Sequence, residues 1–342
     1  MDNAELCERL QRFLTARGVD GEVGGIAPIV GGFSQITYRF TVRSADGQQA
    51  YVLRMDRMSG ETLTSTDRAL EARVIAALNN AGAPVPLALW ADPDGDELGA
   101  PTLISEFVDG QNMLQAARSG ARDATDLVDL ATRAAAEIHA VDTAGFPDEL
   151  GVAGGDWTSY LDSEIEAWRA LEARQAERMP VLRYLASWLD THRPEPVDLR
   201  LVHGEFSFAN LMLRPDGQVS VIDWEYAHIG DPRMDFGWCI QRHAKEPPNL
   251  LGDHLDLVCR RYRELTGMSE KAMNSNAVLY FVVLSGARGF AGVLDGITRF
   301  TNGESSQLLS AYLISPWSLA CSEWLGITRM LETADRGVGA AL

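Results

Sequence analysis

The sequence predicts an α+β protein of two lobes: a β-rich front lobe over residues 1–107 and a mainly helical back lobe over residues 108–342. Three observations carry this expectation. Short β-prone runs, separated by turn residues, cluster between positions 26 and 107. After Asp109-Gly110 the apolar residues recur at three- and four-residue steps, the helical period. One strand-loop-strand island, residues 199–224, interrupts the helices.

Residues 3–17 read as an amphipathic helix, with Leu6, Leu10 and Leu14 at four-residue steps. Residues 26–42 hold two β-prone runs around a Gly31-Gly32 turn, and residues 50–54 a third strand after Asp46-Gly47. A helix over 65–80 carries Glu71. The runs 87–91 and 102–107 flank the polar turn DPDGDELG and read as a hairpin. In the back lobe, residues 125–141 place Leu127, Leu130, Ala134, Ile138 and Val141 on one helical face. Further helices are expected over 157–175 and 180–192, near Asp235, and over 252–266, 274–295 and 306–332. The sequence contains no internal repeat.

Composition narrows the function classes. Hydrophobic residues at 46% and charged residues at 23% describe an ordinary globular chain. No apolar run reaches the roughly 18 residues that span a bilayer, and the acidic, helical start lacks the pattern of a secretion signal, so a cytoplasmic protein is expected. A net charge of −18 argues against nucleic acid and anionic membranes as partners. Cys7, Cys239, Cys259 and Cys321 lie too far apart in sequence for a CxxC-type metal site. The chain has only two lysines, Lys245 and Lys271.

The chemistry concentrates in residues 201–238. Glu205 and Asn210 stand five residues apart at the start of a β-turn-β unit whose turn is Pro215-Asp216-Gly217. Asp223 ends the return strand, thirteen residues after Asn210. A hairpin brings its ends together, so Asn210 and Asp223 are expected side by side. An amide and a carboxylate are hard oxygen ligands suited to Mg²⁺ and its phosphates. Glu205, on the adjacent loop, is placed to orient a hydroxyl or take its proton. Positioning and charge neutralisation are most of what phosphoryl transfer requires.

His203-Gly204-Glu205 followed by Asn210 resembles the catalytic loop of the aminoglycoside phosphotransferase and choline kinase superfamily, a branch of the protein-kinase-like fold. Ile222-Asp223-Trp224-Glu225 resembles its metal-binding segment, and Ala227 through Trp238 fits the same family. The chain is most similar to the branch of kinase-like domains fused to some acyl-CoA dehydrogenases. This resemblance implies an enzyme that uses Mg²⁺ and ATP, or GTP, to phosphorylate a hydroxyl of a small molecule. The acceptors implied are aminoglycosides, hydroxyacyl thioesters, amino alcohols, macrolides or sugars.

The resemblance also implies residue roles. Glu205 is the candidate base, with His203 beside it as a brace of the loop. Asn210 and Asp223 are candidate metal ligands, assisted by Glu225. Gly31, Gly32 and Ser34 resemble the loop that covers the nucleotide phosphates. Arg54 occupies the strand position where protein kinases carry lysine, and Glu71 would pair with it; a surface ion pair is the alternative. Residues 105–110, with Glu106 and Val108, resemble the hinge that meets the nucleotide base. Asp231 and Asp235 are expected to hold loop backbone and cap the next helix. His139 and most tryptophans are expected to pack the interior.

One position departs from the family: Glu205 stands where aspartate is usual. Its extra methylene shifts the carboxylate by roughly 1 Å unless the loop adapts. The alternative function is therefore a catalytically weak pseudokinase that binds nucleotide or regulates.

Overall fold

In a computed structural model of the chain, the residues described are 2–29, 35–56, 67–151, 155–174, 179–301, 303 and 314–335. The expected phosphate-covering residues Gly31, Gly32 and Ser34 lie outside them. The front half opens with helix α1 (Asn3–Ala16), whose start is capped by Asp2 accepting from the Glu5 amide. Strands β1 (Glu22–Ile29), β2 (Gln35–Ser44), β3 (Gly47–Asp56), β4 (Ala88–Asp92) and β5 (Thr102–Glu106) form one antiparallel sheet in the order β1-β2-β3-β5-β4. α1 buries Leu6, Leu10, Phe13 and Leu14 against Phe40, Val42, Leu53 and Ile104 of the sheet. The four-residue spacing legible in the sequence is thus the packed face. The polar DPDGDELG turn closes because Asp92 Oδ2 accepts the amides of Glu97 and Leu98.

Helix α2 (Arg68–Asn80) joins the front half to the back. Its Val74, Ile75 and Leu78 belong to a hydrophobic cluster that continues into the helical half through Met113, Leu127, Phe206 and Leu211. After the crossing, β6 (Gln111–Asn112) pairs with β8 (Leu211–Leu213), which pairs with β9 (Val219–Val221). Gly110 has φ of +133°, and a Cβ there would sit 2.1 Å from the Leu213 carbonyl oxygen, so this crossing requires glycine. A second ribbon pairs β7 (Arg200–Val202) with β10 (His228–Gly230). The expected single island is therefore two small sheets. Strands of two or three residues carry too little alternation to be read from sequence.

The helical half comprises α3 (Met113–Ser119), α4 (Ala124–His139), α5 (Trp157–Arg174), α6 (Pro180–Thr191), α7 (Arg233–Lys245), α8 (Leu250–Asp253), α9 (Leu255–Thr266), α10 (Ser275–Thr301) and α11 (Ile314–Asp335). The single helix expected over 252–266 is broken at His254, which separates α8 from α9. Helix α10 runs beyond the expected end at 295. Trp157, Trp168 and Trp188 pack with α10 residues Tyr280, Phe281 and Leu284 and with Trp324 of α11 in a second core. No described helix is long and apolar enough to cross a membrane.

A buried polar chain crosses the first core. Tyr262 of α9 contacts His139 Nδ1 at 2.9 Å, and His139 Nε2 contacts Asp235 of α7 at 3.0 Å. Asp235 in turn accepts the backbone amides of His203 and Gly204, each at 2.9 Å. His139 is therefore an interior partner, as its apolar face predicts. Asp231 accepts from Trp157 Nε1 at 2.7 Å and from the amide and guanidinium of buried Arg233. Asp231 thus holds the start of α7, whereas Asp235, inside the first turn of α7, holds loop backbone and caps no helix.

Burial pushes the Asp235 carboxyl up, but the hydrogen bond and charge of His139, with the His203 amide, hold it below its usual value. A depressed carboxyl stabilises the fold above its unfolded pKa, and that contribution is lost as pH falls through the native value. Asp235→Asn is expected to cost roughly 3 kcal/mol in urea unfolding at pH 7. The gap to the natural protein should close below about pH 4. A gap that stays constant with pH would exclude this ionised role.

Candidate active site

The loop 203–210 is shaped from its ends inward. β7 delivers the chain to His203, whose amide and that of Gly204 are held by Asp235. Gly204 turns with φ of +80°, and a Cβ would lie 2.2 Å from the Tyr226 carbonyl oxygen, which excludes any side chain. His203 is fully buried. Its Nδ1 accepts the Glu205 amide at 3.2 Å, so the proton sits on Nε2, which donates to the Ile222 carbonyl at 2.9 Å. Burial lowers its pKa and keeps the ring neutral. His203 thus ties the loop to the strand that ends in Asp223, and its burial removes it from direct contact with an acceptor.

Asn210 donates Nδ2 to the Glu205 carbonyl at 3.0 Å, which leaves Oδ1 as the atom it can offer to a cation. The Ile222 amide donates to the Asn210 carbonyl at 2.9 Å, one step beyond the β8–β9 register. Asn210 and Asp223 therefore sit at the mouth of the same hairpin. Asp223 has φ of +72°, and is the one described non-glycine residue with positive φ. Aspartate tolerates this conformation better than most residues, and such strain collects at functional sites.

Glu205, Asp223 and Glu225 each present a carboxylate oxygen within 4.8 Å of the others. Burial, then the charges of Asp223 and Glu225, push Glu205 up to about 8. Burial, then Asp223, push Glu225 up to about 7 against the pull of Arg54. Three half-buried carboxylates and an amide oxygen are a donor set that fits a hard divalent cation.

The front half closes over this cluster with two arginines. Arg54 of β3 bonds to Glu71 of α2 and to Asp223, and lies 3.9 Å from Glu225. The side chains of Arg54 and Glu71 are 13% and 1% exposed, so the pair is interior and the surface alternative is wrong. Burial alone would lower the Arg54 pKa, but the charges of Asp223, Glu71 and Glu225 raise it above its ordinary value. Arg68 was not anticipated. It is fully buried, donates to Asp56 at 2.7 and 2.9 Å, bonds to the second oxygen of Glu71 and lies 3.7 Å from Glu225. The signal that would have found it is its place three residues before Glu71 on one helix. At the expected hinge, Val108 is buried. Glu106 accepts from Arg214 at 2.7 Å.

The geometry can be set beside known proteins. Over 209 residues the chain is 31% identical to acyl-CoA dehydrogenase family member 10 of Mus musculus, covering 58% of this chain and 19% of that protein. The match thus spans about a fifth of that relative's length. A crystal structure of a candidate aminoglycoside phosphotransferase from Ralstonia eutropha superposes with a TM-score of 0.67 at 24% identity, covering 96% of this chain and 98% of that one. An aminoglycoside phosphotransferase in ternary complex with ADP and hygromycin B superposes with a TM-score of 0.57 at 16% identity, covering 93% and 97%. The sequence pattern of the phosphotransferase enzyme family matches residues 25–268, most of the chain and all of the cluster from Arg54 to Glu225, and the protein belongs to that family.

Proposed function

We propose that the enzyme transfers the γ-phosphoryl group of ATP, or GTP, to a hydroxyl of a small molecule, with Mg²⁺ as cofactor. The observation that carries the proposal is the meeting of Glu205, Asp223 and Glu225 beneath Arg54. Asn210, Asp223 and Glu225 would hold the metal, which when bound neutralises charge on the nucleotide phosphates. Arg54 contributes a second positive charge from the front half, and Glu71 and Arg68 fix its direction. The guanidinium offers two donors to phosphate oxygens where a lysine would offer a point charge. Glu205 orients the acceptor hydroxyl and accepts its proton as the new P–O bond forms. Its raised pKa gives that oxygen a proton affinity near the working pH, which suits a general base. Gly31, Gly32 and Ser34 are proposed to cover the phosphates, and the backbone around Glu106 and Val108 to meet the base. The bound ADP of the aminoglycoside phosphotransferase of like fold supports the nucleotide assignment.

The competing reading is a pseudokinase, favoured by Glu205 in place of the usual aspartate. Against it, metal ligands have little purpose without phosphates to hold.

Asp223→Ala is expected to lower Mg²⁺-dependent phosphoryl transfer by on the order of 10³ while the fold persists, since several kcal/mol of charge stabilisation is removed. ³¹P NMR with ATP, Mg²⁺ and a panel of hydroxylated metabolites measures it, and circular dichroism checks the fold. Turnover unchanged in the folded variant would remove the metal assignment.

Glu205→Gln keeps the side-chain length and removes the charge. It should slow acceptor-dependent turnover by on the order of 10²–10⁴ with little change in nucleotide binding. Glu205→Asp should be slower than the natural enzyme, because the loop held by His203, Asp235 and Asn210 is built around glutamate. An aspartate variant faster than the natural protein would favour the pseudokinase.

A further inference from the structure

Helix α7 addresses the 203–210 loop along one arc. Asp235 accepts the amides at the loop's start, and two turns later His243 Nε2 accepts the Phe208 amide at 3.1 Å. At about 100° per residue, Trp238, Gln241, Arg242 and Lys245 fall on the adjoining arc, roughly 100° wide. Arg242 stands at the edge nearest the loop, close enough for its charge to act on Glu205.

Each of these four side chains carries N–H donors, and two of them are cations. Trp238 Nε1 and Gln241 Nε2 are buried and have no hydrogen-bond partner among the described residues. Gln241 is only 1% exposed. A buried N–H without an acceptor is destabilising, so two on one arc call for an explanation. Arg242 pairs with Glu246 at 2.7 Å, and Arg118 lies 3.5 Å from the same carboxylate. Lys245 donates to the Gln241 carbonyl at 3.3 Å, and its charge is felt by Glu323 and Cys321 of α11. Among the described residues, Arg118, Arg242 and Lys245 thus cluster about this arc, in a chain of net charge −18 that has only two lysines. This local cluster of cations and donors stands against the protein's overall negative charge.

We propose that this arc of α7 is the acceptor subsite, and that the acceptor carries an oxyanion, a carboxylate or a phosphate monoester, near the hydroxyl presented to Glu205. The inference rests on the phosphotransferase reading above. An oxyanion supplies acceptor oxygens to Trp238 and Gln241 and charge to Arg242 and Lys245, whereas a cationic amino alcohol would meet repulsion.

The test compares four probe classes of equal length: short hydroxy acids, hydroxyalkyl phosphates, methyl esters of the same acids, and amino alcohols. Turnover is followed as ADP release with Mg²⁺ and ATP. Binding is followed separately by saturation-transfer NMR with a non-hydrolysable ATP analogue. Acids or phosphates should exceed the esters in kcat/KM by roughly tenfold or more, and the better of the two identifies the oxyanion. Arg242→Gln should shrink that ratio by about tenfold, mainly through KM, and Arg242→Lys should restore part of it. Trp238→Phe should weaken binding of the acid or phosphate without lowering thermal stability, because it removes an unpaired donor. Esters or amino alcohols bound and turned over as well as the acids would overturn the inference and leave the phosphotransferase reading in place. So would an unchanged ratio in Arg242→Gln, or failure of every oxyanion-bearing probe to bind. Oxyanion binding that depends on Arg242 with no phosphoryl transfer to any probe would uphold the subsite and defeat the phosphotransferase reading.

Discussion

Everything at the centre of this protein follows from an excess of buried negative charge. Asp56, Glu71, Asp223, Glu225 and Glu205 converge on the guanidinium groups of Arg54 and Arg68. Burial, and then the crowding of carboxylates about only two cations, pushes Glu205 and Glu225 up. A site in this condition accepts further positive charge readily. The same imbalance dictates connectivity, because each arginine must reach several acids at once. Arg54 reaches from β3 to α2 and across to the hairpin mouth, so the two halves are joined by charge at the place where chemistry is expected.

The complementary constraint is α7, which acts as a ruler for the catalytic loop. Asp235 fixes its beginning and His243 its end, eight residues apart on one helix. His203 adds the third tie, to the strand that leads into Asp223. Side chains that never touch a substrate thus determine where Glu205 and Asn210 stand. Positional tolerance of about 1 Å matters for rate, so this buried scaffold is as consequential as the half-buried residues it holds.

Much of this was legible in the sequence because it depends on local spacing. The α1 stripe, the helix carrying Glu71, the hairpin between residues 87 and 107 and the thirteen-residue step from Asn210 to Asp223 are all short-range patterns. The pairing of Arg54 with Glu71 was also expected, from family resemblance. What escaped was what depends on contacts distant in sequence. Arg68 looks like any helical arginine until Asp56 and Glu225 are folded around it. The joint role of Asp235 and His243 needs the loop to lie along α7. The ribbons β6, β7 and β10 are two or three residues each, below the length at which alternation carries information.

The hydrophobic cluster that runs from α2 into the helical half has a consequence for folding. Val74, Ile75 and Leu78 lie before the crossing at Gly110, yet they share one core with Met113, Leu127 and Phe206 beyond it. The lobes are separate in architecture but not in cohesion. A chain cut near residue 107 would leave α2 with its apolar face uncovered and the helical half with an open cavity in its wall, each short of the burial that offsets chain entropy. The two halves are therefore expected to unfold as one cooperative unit, with α2 belonging mechanically to the helical side.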